Sequence, residues 1–274
     1  MTSLRLRVPR LFLPQASEPP PPVPAGFTPP WREYPLHGDA RRVYVSSSEG
    51  DDSNDGLSDS TPKATIAAGV ALIRNGYGDH LLLKRGDVWD EAFASATRSG
   101  LSADYPAVFG AYGTGARPLL RPTGSSTALY LGDFDHLAVV SLHLRGRYHD
   151  QNTSPDGINC TGEWGDFTLE DCKVEQFTNN VVIQGYPSTP QAIGCVVRGN
   201  LILDAHAIDS THAQGLYLAN IDGLLVEDNI LDHNGWFTDN PYATAANVFR
   251  HNLYLQCGVS NTITRRNYSM RASA

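Results

Sequence analysis

From about residue 137 onward, apolar and polar positions follow two short patterns that alternate along the chain. In the first, apolar residues bracket a central position: Ile158-Asn159-Cys160, Val181-Val182-Ile183, Leu216-Tyr217-Leu218 and Leu253-Tyr254-Leu255, with successive starts 23, 35 and 37 residues apart. In the second, an alternating run ends in a polar turn: FTLEDC (167–172), CVVRGN (195–200), LLVEDN (224–229) and TITRRN (262–267), whose last residues are 28, 29 and 38 apart. LAVVSL (137–142) is a fainter earlier copy. Alternation over such short stretches is strand periodicity. Two strands per coil, separated by insertions of variable length, predict stacked coils that each advance ~4.8 Å, the spacing of hydrogen-bonded strands. The alternation points Phe167 and Leu169, Cys195 and Val197, and Leu224 and Val226 inward, and places Thr262 and Thr264 inward in the weakest copy. Asn200, Asn229 and Asn267 fall where the chain must turn. Asparagine tolerates the left-handed region and its amide can bond from coil to coil, so these three are expected to be structural.

The first half is organised differently. Residues 14–30, PQASEPPPPVPAGFTPP, form a proline-rich stretch with no core of its own, and residues 1–41 are assigned to an arm or linker. The domain is expected to span residues 42–274, opening with a strand at 42–47. After a polar cluster, apolar residues at helical spacing over 64–75 follow the start signal Thr61-Pro62. GDHLLLKRGDVW (78–89) then gives a strand and a turn. A short helix at that place would cap the open end of a solenoid.

Composition narrows the function classes. Of 274 residues 41% are apolar and 18% charged, which suits a folded domain large enough for a sizeable core. The formal net charge of −8 argues against nucleic acid and anionic membrane as partners. Lysine occurs only at Lys63, Lys84 and Lys173, so a local basic patch would have to be built from arginine. No stretch is long and apolar enough to span a bilayer, and Arg5, Arg7 and Arg10 interrupt the leucines of the first residues, making a poor secretory signal. Cys160, Cys172, Cys195 and Cys257 form no CxxC pair and are expected as buried thiols.

The stretch YVSSSEGDDSNDG (44–56) with TPKATI, GDHLLLKRGDVW and YPAVFGAYGTGARPLL (105–120) resembles the N-terminal region of bacterial right-handed parallel β-helix proteins of the pectate-lyase-like superfamily. The repeats at 137–273 resemble that superfamily's β-helix, so the resemblance covers about residues 42–273. It implies an all-β fold, a single-stranded right-handed parallel β-helix with a short N-terminal capping helix. It also implies action outside the cell or at its surface, on polysaccharide. The superfamily includes lyases, hydrolases, epimerases and non-catalytic adhesins, so the resemblance does not choose the reaction.

In such a fold the substrate groove lies along one strand stack. The segments before the apolar triplets, 203–215 and 232–252, are long and mark that stack. Its outward residues form two columns: Asn159, Val182, Tyr217 and Tyr254 from the triplet centres, and Asp156, Asn179, Gln214 and His251 two residues before each triplet. The tyrosines suit packing on sugar rings, and Asp156, Asn159, Asn179, Gln214 and Tyr217 are the expected substrate-binding residues. For β-elimination or C5 epimerisation of a uronic-acid polymer, Arg250 would neutralise the sugar carboxylate, His251 would take the C5 proton and Tyr254 would protonate the leaving oxygen. The first alternative is a non-catalytic glycan-binding module, an adhesin or a phage tail-spike segment. A monomer is expected, or a trimer in the tail-spike case.

The second alternative is a glycoside hydrolase, which needs two carboxylates on one face. SPDGIN (154–159) resembles the NTDGI motif of polygalacturonases, with Asp156 at the matching position. The paired aspartates are missing from NNVVIQG (179–185), and HAQGLYL (212–218) stands where a Gly-His-Gly motif should be, which weighs against that mechanism. Asp156 then reads as a turn residue before Gly157 or as a sugar-binding carboxylate. Asp51, Ser53, Asp55 and Gly56 match the first half of a calcium loop whose twelfth position is Pro62, and so read as a turn. HAIDSTH (206–212) lacks the register of a metal site. No metal ligand is assigned; Ca²⁺ enters only as a cofactor such a lyase could use. RRNYSMRASA ends inside a repeat, so the β-helix is expected to be truncated at its C-terminal end.

Overall fold

The computed structural model describes residues 33–93, 97–123, 127–146, 156–187, 192–207, 212–236 and 247–272. Among them the chain winds into three all-parallel sheets. The five-stranded sheet holds Leu129–Leu131, Asp156–Gly162, Asn179–Gly185, Ala213–Ala219 and Arg250–Leu255. The eight-stranded sheet holds Arg42–Val45, His80–Lys84, Ala107–Tyr112, Phe134–Val140, Trp164–Glu170, Ala192–Arg198, Ile221–Glu227 and Ser260–Arg265. The seven-stranded sheet holds Val88–Trp89, Leu119–Leu120, His143–Arg145, Lys173–Glu175, Leu201–Leu203, Ile230–Asp232 and Tyr268–Met270. Each strand pairs with its counterpart one coil away, which makes a right-handed parallel β-helix.

The sequence patterns predict two strands per coil, whereas the complete coils have three. The third, such as Lys173–Glu175, is three residues long with one buried apolar residue at its centre: Val174, Ile202 or Leu231. It is too short to show a period. The inward assignments hold for Phe167, Leu169, Cys195, Val197, Leu224 and Val226, each at most 1% exposed. Thr262 and Thr264 sit in register with Leu224 and Val226 but are exposed, because Ser260–Arg265 is the edge strand of its sheet.

The three asparagines form the expected ladder. Asn200 Nδ2 donates to Asn229 Oδ1 at 2.9 Å, and Asn229 Nδ2 donates to Asn267 Oδ1 at 2.9 Å. Each amide also donates to a carbonyl of the preceding coil: Leu169 O at 3.0 Å, Val197 O at 2.9 Å and Val226 O at 2.8 Å. The left-handed conformation, however, belongs to the residue before each asparagine: Asp171 before Cys172, then Gly199, Asp228 and Arg266, with φ between 52° and 65°. That kink turns the next side chain inward. A second ladder, unseen in the sequence, joins Asn180 Nδ2 to Asn234 Oδ1 at 2.9 Å and Asn234 Nδ2 to Asn252 Oδ1 at 2.8 Å. It lies at the corner entering the five-stranded sheet.

The predicted helix is present but shorter, Ile66–Leu72, and Thr65 rather than Thr61 is its N-cap. The Thr65 hydroxyl accepts from Ala68 N at 3.1 Å, and the Asp52 carboxylate accepts the Ala64 and Thr65 N–H groups at 2.9 Å each. Ile66 and Val70 are buried in the core. Gly69 is needed for close approach, since a Cβ there would stand 2.4 Å from Val45 Cγ2. Part of the expected arm packs on the β-helix: Tyr34 covers Val108, Ala138 and Val140 on the outer side of the eight-stranded sheet. Cys160, Cys172 and Cys195 are buried free thiols, but Cys257 is exposed because it lies in the turn after Arg250–Leu255.

Candidate active site

The five-stranded sheet carries the two outward columns in the register read from the sequence. Asn159, Val182, Tyr217 and Tyr254 pair in succession, and Tyr130 extends their column by one coil. Asp156, Asn179, Gln214 and His251 pair in the second column. The inward neighbours Ile158, Cys160, Val181, Ile183, Leu216 and Leu218 are fully buried and pin this face outward. Asp156 begins a strand and is not a turn residue.

The polar groups form one directed network. Asp156 accepts Nδ2–H from Asn159 at 2.7 Å and from Asn179 at 2.9 Å. Asn159 Oδ1 accepts the Thr161 hydroxyl at 2.8 Å, and Asn179 Oδ1 accepts the Gln214 backbone N–H at 3.2 Å. Gln214 Oε1 lies 3.1 Å from His251 Nδ1. The imidazole of His251 stacks on the Tyr254 ring with centroids 4.8 Å apart, and Tyr254 meets Tyr217 at 5.8 Å. The Tyr217 hydroxyl donates to Gln256. A recess of about 240 Å³ opens between the columns, lined by Asp156, Asn179, Val182, His212, Gln214 and Tyr217.

Burial sets the protonation tendencies. Asp156 is raised above the usual carboxylate range, because desolvation outweighs its two amide hydrogen bonds. His251 is lowered below the ordinary histidine value, first by desolvation and then by His212 nearby, so its imidazole is neutral at pH 7. Burial raises Tyr217.

Two expected roles change. Arg250 is fully buried and its guanidinium donates to Gly235 O at 3.2 Å, so it lies on the core side of its strand and does not share a face with His251 and Tyr254. Gln214 is only 3% exposed, and its amide is engaged by Phe249 O and His251. It lines the recess with little open surface of its own. Tyr130, Thr161, Phe249 and Gln256 were not singled out from the sequence, and His212 was weighed there only as part of HAIDSTH. Tyr130 could have been, as the centre of another apolar triplet, Leu129-Tyr130-Leu131.

The calcium-like stretch folds as a turn: Asp51 and Asp55 accept backbone N–H groups of Ser53 and Leu57, and among the described residues no three metal-ligating side chains cluster. Asp209 of HAIDSTH lies outside the described residues. The columns offer Ca²⁺ one carboxylate, Asp156, where six to eight oxygens are typical. The Asn159 and Asn179 side-chain oxygens already accept hydrogen bonds, so the groove does not fit that ion.

No family model matches the chain, and no curated protein matches it. Solved structures do. Pectate lyase Pel9A aligns over 85% of this chain and 63% of its own, at 16% identity and a TM-score of 0.55. The GH136 lacto-N-biosidase from Eubacterium ramulus aligns over 70% of this chain and 41% of its own, at 19% identity and a TM-score of 0.50. The chain therefore spans less than two thirds of either neighbour, and what it shares with them is the parallel β-helix fold.

Proposed function

We propose that this β-helix binds a linear polysaccharide along the outward face of its five-stranded sheet, outside the cell or at its surface. Its reaction is proton abstraction, β-elimination or C5 epimerisation of a uronic-acid-containing polymer. The observation that supports this is the neutral imidazole of His251 stacked on the Tyr254 phenol, on the exposed side of the sheet. His251 takes the C5 proton. In elimination the C–H electron pair becomes the C4–C5 double bond while the C4–O bond breaks, and the Tyr254 hydroxyl protonates the departing glycosidic oxygen. Tyr217 and Tyr130 offer ring faces to sugars along the same column.

The burial of Arg250 favours a second reading. Neither column contains an arginine or lysine among the described residues, so a sugar carboxylate there meets amide, hydroxyl and imidazole groups but no fixed cation. A glycan-binding groove without turnover needs no such cation. Hydrolysis is less well supported, since Asp156 is the sole carboxylate in the columns.

The test is ultraviolet absorbance of unsaturated sugar ends after incubation with alginate, pectate and glycosaminoglycans, with nuclear magnetic resonance for inverted C5 centres. A signal abolished by His251→Ala or Tyr254→Phe supports the lyase or epimerase. Binding of a polymer with neither product by a folded sample overturns turnover and leaves the binding module.

A further inference from the structure

We propose that Gln214 is a positioning residue that fixes the tautomer of His251 and so decides which imidazole nitrogen faces the groove. This rests on the acid–base reading above. The side chain of Gln214 is all but buried, and its amide is engaged by protein groups on both sides. Its Nε2 donates to Phe249 O at 3.0 Å, with His212 Nδ1 at 3.5 Å from the same nitrogen. The amide is thereby oriented: turning it over would bring Gln214 Oε1 against the Phe249 carbonyl, two acceptors with no proton between them. Oε1 is left facing His251 Nδ1 at 3.1 Å. A carbonyl oxygen only accepts, so Nδ1 carries the proton and Nε2 keeps the lone pair.

The backbone of Gln214 is held from the other side. Its N–H donates to Asn179 Oδ1, whose Nδ2 donates to the Asp156 carboxylate. The flat contact with Tyr254 fixes the plane of the ring, leaving its orientation to Gln214. Four coils thus cooperate to present one unprotonated nitrogen, Nε2, as the base.

The experiment is ¹⁵N nuclear magnetic resonance of the histidine side chains in the full-length chain at neutral pH, with His251 assigned by comparison with His251→Gln. The expected signature is Nδ1–H. Gln214→Met, of similar shape but without the amide, should shift His251 toward the tautomer mixture of an unconstrained imidazole. It should lower kcat on the order of tenfold to a hundredfold while KM moves less. Gln214→Glu, which keeps an acceptor at Nδ1, should retain Nδ1–H. An Nε2–H signature in the unmodified protein overturns the proposal, as does an Nδ1–H signature that persists in folded Gln214→Met. If Gln214→Met does not fold, the unmodified protein and Gln214→Glu still decide. An Nδ1–H signature without turnover of any polymer upholds the positioning role and overturns the catalytic reading; turnover with an Nε2–H signature does the reverse.

Discussion

His251 and Tyr254 lie face to face, their ring planes inclined by only 10°, on one side of one strand. A base and an acid so placed approach a bound sugar from the same side, which favours elimination where C5–H and C4–O are cis. Mannuronate and glucuronate residues have that arrangement; galacturonate and guluronate residues do not. Initial rates of unsaturated-end formation should therefore be higher on mannuronate-rich alginate than on pectate. Equal or inverted rates would mean that the acid and base do not act as a same-side pair.

Activity should show an acid limb below the ordinary histidine range. The base must be neutral, and burial together with His212 holds His251 lower than 6.5. kcat/KM should rise with pH through that lowered value and then level off on the acid side of the profile. The groups facing the ring are Gln214, Tyr254 and His212. His212→Gln removes that electrostatic opposition to the His251 imidazolium and should move the limb to higher pH.

Asn229 bonds at once to Asn200, Asn267 and the Val197 carbonyl, all at 2.9–3.0 Å and with no exposure of its own. Asn229→Leu strands several buried polar groups, each costing ~1–3 kcal/mol. Urea unfolding should show a larger loss of stability for Asn229→Leu than for Asn267→Leu, whose position is partly open to water.

His80 is buried, its Nε2 has no hydrogen-bond partner among the described residues, and desolvation, followed by the charge of Arg42, pushes its pKa down to about 4. The unfolded imidazole takes a proton near 6.5, so between about 4 and 6.5 the unfolded state binds more protons than the folded state. Stability is complete above that window and falls as pH drops through it, by up to ~1.4 kcal/mol per pH unit from this group. His80→Leu should flatten the decline in unfolding midpoint between pH 7 and pH 5.

Gly157 stands where a Cβ would lie 2.5 Å from Asn180 O and 2.6 Å from Val174 Cγ1. Gly157→Ala must shift the strand that carries Asp156 and Asn159. It should weaken glycan binding, measured calorimetrically, and lower thermal stability together.

The repeats that could be read are those whose strands are long enough to alternate. Phe167-Thr168-Leu169 and its copies expose a period of two, and the triplets around Tyr217 and Tyr254 share a fixed offset, so both columns could be placed from spacing alone. Lys173–Glu175 and its equivalents have one inward residue each and offer no period. Asn180 and Asn252 each stand one residue before a triplet, but the ladder was hidden because Asn234, which joins them, lies 18 residues before Asn252, across an insertion. Arg250 shows the other limit. Sequence adjacency to His251 put it beside the base, but neighbouring residues of a strand face opposite ways, and Arg250 turns into the interior, where it donates to Gly235 O. Gln214 was correctly placed in its column; its burial against Phe249 could not be inferred, because that contact reaches across an insertion.

The amides of Asn200, Asn229 and Asn267 all point the same way, each giving a proton to the next. Such a series is a proofreading device for assembly. A coil that docked one residue out of step would move its asparagine from the axis to the outside, breaking the link above and the link below at once. The penalty for misalignment is thus felt by two neighbours rather than one, and correct stacking can spread from coil to coil without a template at either end.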